Sequence, residues 1–282
     1  MRTIELELQG LKAWLLDCGT FRHDGGVIFG PVPKQEWSKY CQADEANRIL
    51  LAIRPLLVAS ESGYVLVNAG WAGPEGQGSA PGTRPISAAL GELGLEPESI
   101  AVVILTHLHP DHIGGLFLGS GTARRPFFAR ARHLVQRAEA AAAAYPNERT
   151  RADYDPGALR CLEEAGLLTL LPGSCRVDRH VRALLCPGHT PGHQCVRLES
   201  GMHSALYPSD LAALPVQAER LAWVQGLDLE PLRTLESKRS ILGQAVEEGS
   251  YLLFEHEPDD ERAVGRLVPS GKRWRFQPER PS

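Results

Sequence analysis

The stretch "ILTHLHPDHIGG", residues 104–115, places His107, His109, Asp111 and His112 within six positions. It follows directly on "SIAVVILT", a continuous apolar, β-branched run that suits a strand covered on both faces. The motif therefore begins where a buried strand ends. Three imidazoles and a carboxylate gathered at that end mark a candidate site.

The rest of the chain alternates in the same way. "IELELQGLKAWLLDCG" reads as two short strands around a turn at Gly10, and residues 22–40, rich in proline and glycine, read as a loop. "ILLAIRPLLVASESGYVLVNAG" reads as a hairpin turning at Glu61, Ser62 and Gly63, and "ISAALGELGL" as a helix. In the second half, "LVQRAEAAAAAY" is helical by its alanine content, and "ALRCLEEAGLLTLLPG" is a helix followed by a strand. "HVRALLCPGH", "HQCVRLES", "HSALYPSD" and "YLLFEHEP" read as strands. "PLRTLESKRSILGQAVEEG" is a helix with Gly249 at its C-terminal cap, and an edge strand is expected at Lys272–Phe276. No repeat or long linker breaks the chain, so residues 1–282 are expected to form a single domain.

Four strand ends carry metal-ligand residue types. The first gives His107, His109, Asp111 and His112, the second His189, the third Asp210 and the fourth His256. Imidazole nitrogen and carboxylate oxygen without thiolate suit Zn²⁺, Mn²⁺ or Fe²⁺. Seven ligands are too many for one tetrahedral ion but suit two ions that share a carboxylate, with a hydroxide between them. On an extended loop His107 and His109 can face one ion, while Asp111 and His112 reach a second. A lone histidine such as His23, His133, His180 or His203 is ordinarily a surface or core residue, and Cys186 in "CPGH" reads as core packing rather than a nucleophile.

These motifs resemble those of the metallo-β-lactamase superfamily. "THLHPDHIGG" is similar to its His-x-His-x-Asp-His signature, "CPGHTPGHQ" to its second motif, "YPSD" to its bridging aspartate and "FEHEP" to its last histidine. The resemblance implies an α/β fold, an αββα sandwich of two mixed β-sheets flanked by helices. It also implies that His107, His109 and His189 hold one ion and that Asp111, His112 and His256 hold the other, with Asp210 between them. Two divalent ions are the implied cofactor, zinc first, with manganese or iron as alternatives. "HDGGVIFGPVPKQEWSK" and "AWVQGLDLEPLRTLESKRSIL" further resemble segments of quorum-quenching lactonases, which open N-acyl-homoserine lactones. Two departures stand out. The usual Asp-x-Gly is here "NAG", so Asn68 stands where a carboxylate normally supports a ligand histidine. Asn68→Asp is therefore expected to be tolerated and to tighten metal binding. A tyrosine that some lactonases carry three positions after the bridging aspartate is here Ala213, and Tyr207 would point elsewhere.

The implied function is a metal-dependent hydrolase that opens lactones, with Asp111 and Asp210 as catalytic carboxylates. His193 is expected to support the site from behind the ligands, and Phe29, Trp37 and Trp223 to line an acyl-chain pocket. A glyoxalase II-like thioesterase and a phosphodiesterase are the alternatives on the same fold. A mononuclear iron persulfide dioxygenase would use only His107, His189 and Asp210, and would leave Asp111, His112 and His256 without a role. A non-catalytic binding protein would have no need of the full ligand set. The formal net charge of −4 gives no basic face for nucleic acid, and no apolar run reaches a membrane span. Six cysteines without a C-x-x-C pair read as reduced thiols of a cytoplasmic protein, and no signal-peptide core is visible. The expected partner is a small-molecule substrate, and a homodimer is left open.

Overall fold

The computed structural model of the chain describes residues 1–74, 76, 80–271 and 273–281. One seven-stranded sheet runs in the order Ile4–Leu8, Leu11–Leu15, Leu56–Ser60, Gly63–Val67, Ile100–Ile104, Arg132–Gln136, Leu168–Leu171. Its first three joins are antiparallel and its last three parallel. The other seven-stranded sheet runs Cys175–Arg176, Val181–Leu185, Gln194–Ser200, His203–Tyr207, Tyr251–Leu253, Val264–Ser270, Arg273–Pro278. Only the join between His203–Tyr207 and Tyr251–Leu253 is parallel there. A parallel join needs a crossover, and the helix Pro231–Glu247 lies within it.

The side chains sort into three layers of core. Leu6, Val58, Val67 and Ile104 of the first sheet meet Val181, Val196, Leu198 and Leu253 of the second. On the other face of the first sheet, Leu57, Leu66 and Val103 pack with Ile86 and Leu90 of the helix Ile86–Glu92 and Leu162 of Pro156–Glu164. On the other face of the second sheet, Leu206, Leu252 and Leu267 pack with Leu242 and Ala245 of Pro231–Glu247. Helices therefore cover both outer faces, which is the αββα sandwich of two mixed sheets. Strand Ile100–Ile104 is buried on both faces, as its unbroken apolar run requires.

Residues 22–40 differ from the loop expected there. Strand Thr20–Asp24 extends into them and pairs with Arg48–Ala52, and two short helices, Gly25–Phe29 and Lys34–Trp37, follow. Asp24 starts the first helix, because its Oδ1 accepts from the backbone N–H groups of Gly26 (2.7 Å) and Val27 (3.3 Å). The segment "LVQRAEAAAAAY" is strand up to Gln136 and helix only over Arg137–Ala144. The tail strand is Arg273–Pro278, at the edge of the second sheet, while Lys272 lies outside the described residues. Among the described residues no helix is long and apolar enough to cross a membrane.

Candidate metal centre

Beyond Ile104 the chain leaves the first sheet and turns at once into a short helix, Pro110–Ile113, with His109 as its N-cap and Pro110 at the first helical position. The following turn, Gly114–Leu116, presses against the end of the neighbouring strand Gly63–Val67. A Cβ on Gly114 would lie 1.7 Å from the Trp71 carbonyl oxygen, and one on Gly115 would lie 2.1 Å from that of Ala69. The two glycines thus let the backbone close down, and the Ala69 N–H donates to the His112 carbonyl at 2.7 Å. His112 is locked to the segment that carries Asn68.

The four strand ends converge. The ligand atoms of His107, His109 and His189 lie within 4.8 Å of one another, and so do those of His112, Asp210, Glu255 and His256. Asp210 joins the two groups, one oxygen to each. Its Oδ2 lies 3.2 Å from His189 Nε2 and 3.9 Å from His107 Nε2. Its Oδ1 lies 3.0 Å from His256 Nε2 and 3.8 Å from His112 Nε2. Asp111 lies on the second side, with Oδ2 3.4 Å from His112 Nε2 and 3.8 Å from His256 Nε2.

The far edges of the rings are held separately. His189 Nδ1 pairs with Asp228 Oδ1 at 2.8 Å, and Asp228 is itself buried. His256 Nδ1 donates to the Ala52 carbonyl at 2.8 Å. Thr106 Oγ1 lies 3.1 Å from His107 Nδ1. Glu255 Oε2 lies 3.2 Å from His112 Nδ1, and Asn68 Nδ2 is 2.9 Å from the same nitrogen. A further buried carboxylate, Glu139, ties the two ligand loops together. It accepts from the Leu108 N–H (3.0 Å), the Tyr154 hydroxyl (3.1 Å), the Thr190 hydroxyl (2.5 Å) and the Gly192 N–H (3.2 Å).

The two groups are charged differently. Burial, together with the neighbouring His112 and His109, holds the His107 pKa well below the ordinary value. Burial and His189 push His109 down to about 3. At His256 burial also opposes the charge, but Asp210, Glu255 and Asp111 outweigh it and raise the pKa to about 9. His112 is raised in the same way, by Asp111, Glu255 and Asp210 against its burial.

The residues fit a divalent cation pair on three counts. His107 Nε2 and His112 Nε2 are buried with no hydrogen-bond partner among the described residues. Their rings are only 4.1 Å apart, centroid to centroid, with Asp210 facing both nitrogens. A buried ring nitrogen left without a partner is costly, and a cation met by its lone pair would remove that cost. Finally, the donor set is nitrogen and carboxylate oxygen without sulfur, as zinc and related ions prefer.

Comparison with known proteins gives the family. The metallo-beta-lactamase superfamily matches residues 53–234, nearly two thirds of the chain. The chain belongs to the metallo-beta-lactamase superfamily. The matched stretch spans His107 to Asp210 and ends before Glu255 and His256. An N-acyl homoserine lactonase from Bacillus sp is 29% identical over 174 residues, 61% of this chain and 62% of that protein. One from Bacillus cereus is 28% identical over 180 residues, 63% of this chain and 64% of its own. The chain thus matches less than two thirds of the length of either lactonase. A probable metal-dependent hydrolase from Staphylococcus aureus has the same fold, with a TM-score of 0.84 at 24% identity over 97% of this chain and 99% of its own. AidC, a dizinc quorum-quenching lactonase solved with a homoserine product, has a TM-score of 0.81 at 21% identity over 99% and 97%.

In this superfamily member the cleft beside the ligand residues is a cavity of about 200 Å³ bordered by His109, Asp111, Asp210 and His256 on one side. Phe21, His23, Trp71, Asp153 and Gln225 form its other walls. A second cavity of about 370 Å³, lined by Leu108, Ile113, Phe117 and Tyr154, shares Trp71, Pro110 and Ala152 with it. The aromatic residues singled out in the sequence lie elsewhere. Phe29 and Trp37 are buried and stacked on each other at 5.2 Å, and Trp37 packs against Gly25, whose Cβ would meet the indole at 2.4 Å. Trp223 packs edge-on against Phe29 and borders a separate cavity with Arg220 and Trp274. None of the three borders either cavity at the ligand cluster, so they hold the 22–40 segment down. His193 packs its ring 5.2 Å from that of His107, but its Nδ1 faces Cys186 Sγ at 3.2 Å and no ligand ring nitrogen. The Tyr207 hydroxyl donates to the Arg54 carbonyl, away from the cleft, and Ala213 is buried. Sequence reasoning missed Asp228, Glu255 and Glu139 behind the ligands, and Trp71, Phe117 and His23 along the cavities.

Proposed function

We propose that the protein is a dinuclear metal-dependent hydrolase that opens N-acyl-homoserine lactones or related lactones. The observation that carries the reading is Asp210, with one oxygen toward each group of ligands. His107, His109 and His189 would hold one ion, and Asp111, His112 and His256 the other. Such a pair, when bound, supplies Lewis acidity and brings the pKa of a shared water from about 15.7 toward about 7. The chain's own residues do the rest. Asp111, bordering the cavity, can take up and hand on the proton of the attacking water. Ile28, Leu51, Phe21 and Trp71 keep the 200 Å³ compartment poor in competing water. His23 borders that compartment and can orient the polar head of a substrate, while Gln225 Nε2 donates to the Asp210 carbonyl at 3.0 Å and braces the bridging residue.

The choice of a lactone rests on two supports. The curated relatives that the chain resembles include N-acyl homoserine lactonases. The adjoining compartment beside Trp71, Phe117 and Ile113 offers an apolar run for an acyl tail. Each buried methylene contributes about 0.8 kcal/mol, or about fourfold in transition-state binding. The test is kcat/KM for N-acyl-homoserine lactones of increasing chain length, beside a thioester, a phosphodiester and a β-lactam. We expect lactones to lead, with a rise per carbon that Phe117→Ala flattens and that chelator abolishes. Thioester or phosphodiester turnover without lactone turnover would overturn the substrate and leave the ligand assignment standing.

A further inference from the structure

We propose that Glu255 is the carboxylate that orients the ligand histidine His112, having taken over that task from position 68, and that Asn68 is its matched amide partner. This rests on the two-ion reading of the site, and it concerns how the second ion is held rather than what is hydrolysed.

The argument is one of donors and acceptors. His112 turns Nε2 toward Asp111 and Asp210, so that nitrogen must be free of a proton to ligate. Its proton then sits on Nδ1 and needs an acceptor. Two groups are in reach, Asn68 at 2.9 Å and Glu255 Oε2 at 3.2 Å. Asn68 cannot accept there. Its Oδ1 is committed on the opposite side, where it accepts from the Thr106 backbone N–H (3.0 Å) and the Thr106 hydroxyl (3.1 Å). The amide NH₂ therefore faces His112 and Glu255, and it donates to Glu255 Oε1 (3.2 Å) and Oε2 (2.9 Å). Only Glu255 is left to receive the imidazole proton.

Glu255 is placed for this and not for ligation. Its side chain is fully buried, it borders neither cavity at the cluster, and it lies beyond the ring edge opposite the ligating nitrogen. Ser209, next to Asp210, donates its hydroxyl to Glu255 Oε2 at 2.9 Å, so the same carboxylate braces the bridging aspartate's loop. An aspartate at position 68 could have taken the His112 proton directly. With Glu255 present it would instead bring two buried carboxylates to about the present 2.9 Å contact. Asn68 and Glu255 are in this sense one exchange made at two positions, and the expectation that Asn68→Asp tightens metal binding is reversed.

The experiment is a competition titration with zinc and a chromophoric chelator on four full-length proteins: wild type, Glu255→Gln, Asn68→Asp and the double variant. Each single variant should lose about 10–100-fold in affinity for the second ion, with the first ion within about threefold of wild type. In the double variant the carboxylate introduced at position 68 can accept from both His112 and the amide introduced at position 255. Affinity should then return to within several-fold of wild type. A bystander carboxylate that served only packing would not be rescued by a change at its neighbour. A second readout is independent of the variants folding. In ¹⁵N-histidine-labelled, zinc-loaded wild type, His112 should show its proton on Nδ1, coupled across to a carboxylate. Tighter second-ion binding by Asn68→Asp alone, a double variant no better than the weaker single, a His112 proton on Nε2, or no second ion in the wild type would each overturn the proposal. Only the last would also overturn the two-ion reading.

Discussion

The two halves of the cluster contrast in how they balance charge. Among the described residues, the carboxylates within ion-pair distance of His107, His109 and His189 are Asp210, which is shared, and Asp228 behind His189. His112 and His256 sit among Asp111, Asp210 and Glu255. Low dielectric acts on both halves, but with opposite outcomes. Where imidazoles crowd one another, burial keeps His107 and His109 neutral and ready to ligate. Where carboxylates crowd them, the pKa values of His112 and His256 are raised, so protons compete with an incoming ion. A cluster built this way has one half set to receive a cation and one half set to hold protons.

The largest effect belongs to the residue that belongs to both halves. Asp210→Ala removes the oxygen facing His189 and the oxygen facing His256 together. It should weaken both ions and lower turnover by more than about 100-fold, beyond what outer partners contribute. His112→Ala, by comparison, should leave about one ion per chain. Metal analysis of the two purified variants checks the contrast, and two tightly held ions in Asp210→Ala would show that the halves are independent.

The second effect is on pH. His256 is raised to about 9 by Asp210, Glu255 and Asp111 against its burial, and His112 is raised by Asp111, Glu255 and Asp210 against its own. Loading the second ion should release more protons than loading the first, and its affinity should fall as pH drops below about 9. In the first half only His189 is raised, by Asp210 and Asp228 against its burial, while His107 and His109 are lowered, so fewer protons should leave there. His109, at about 3, has none to lose across that range. Titration calorimetry in buffers of different ionisation enthalpy reads the two proton counts. Equal release by both ions would remove the asymmetry.

The residues that converge in the cluster were legible in the sequence and the groups behind them were not, and the reason is physical. Metal chemistry admits few residue types, and the His-x-His-x-Asp-His run brings four of them into six positions, so local spacing carries the signal. Glu255 and Asp228 are single acidic residues whose meaning comes from contacts 187 positions away to Asn68 and 39 positions away to His189. Nothing near them in the chain marks them, although Glu255 stands directly before a ligand histidine. The fold followed the same rule. Strands such as Ile100–Ile104 declare themselves by an unbroken apolar run, whereas Gly25–Phe29 hides among glycines and shows only through the Asp24 cap. Aromatic residues carry the least information. Trp37 and Trp71 both follow or face glycine-rich loops, and only the folded chain shows that one stacks on Phe29 while the other borders the cleft.

The smallest of these effects tests the first half by itself. Asp228 Oδ1 receives the His189 Nδ1 proton at 2.8 Å, and its Oδ2 accepts from the Gln225 backbone N–H at 3.2 Å. Both oxygens are thus occupied by donors, and an amide can satisfy only one of them. In Asp228→Asn either the His189 proton or the Gln225 N–H would face an NH₂ group. The imidazole also loses the charge that makes it a stronger base. Affinity for the first ion should fall by about 10–100-fold, with the second ion affected little. The same zinc titration reads it, and the result belongs beside Glu255→Gln, which should do the reverse. If Asp228→Asn instead weakened both ions equally, Asp210 would be transmitting each half's strain to the other. The contrast between the halves would then lie in their protons alone.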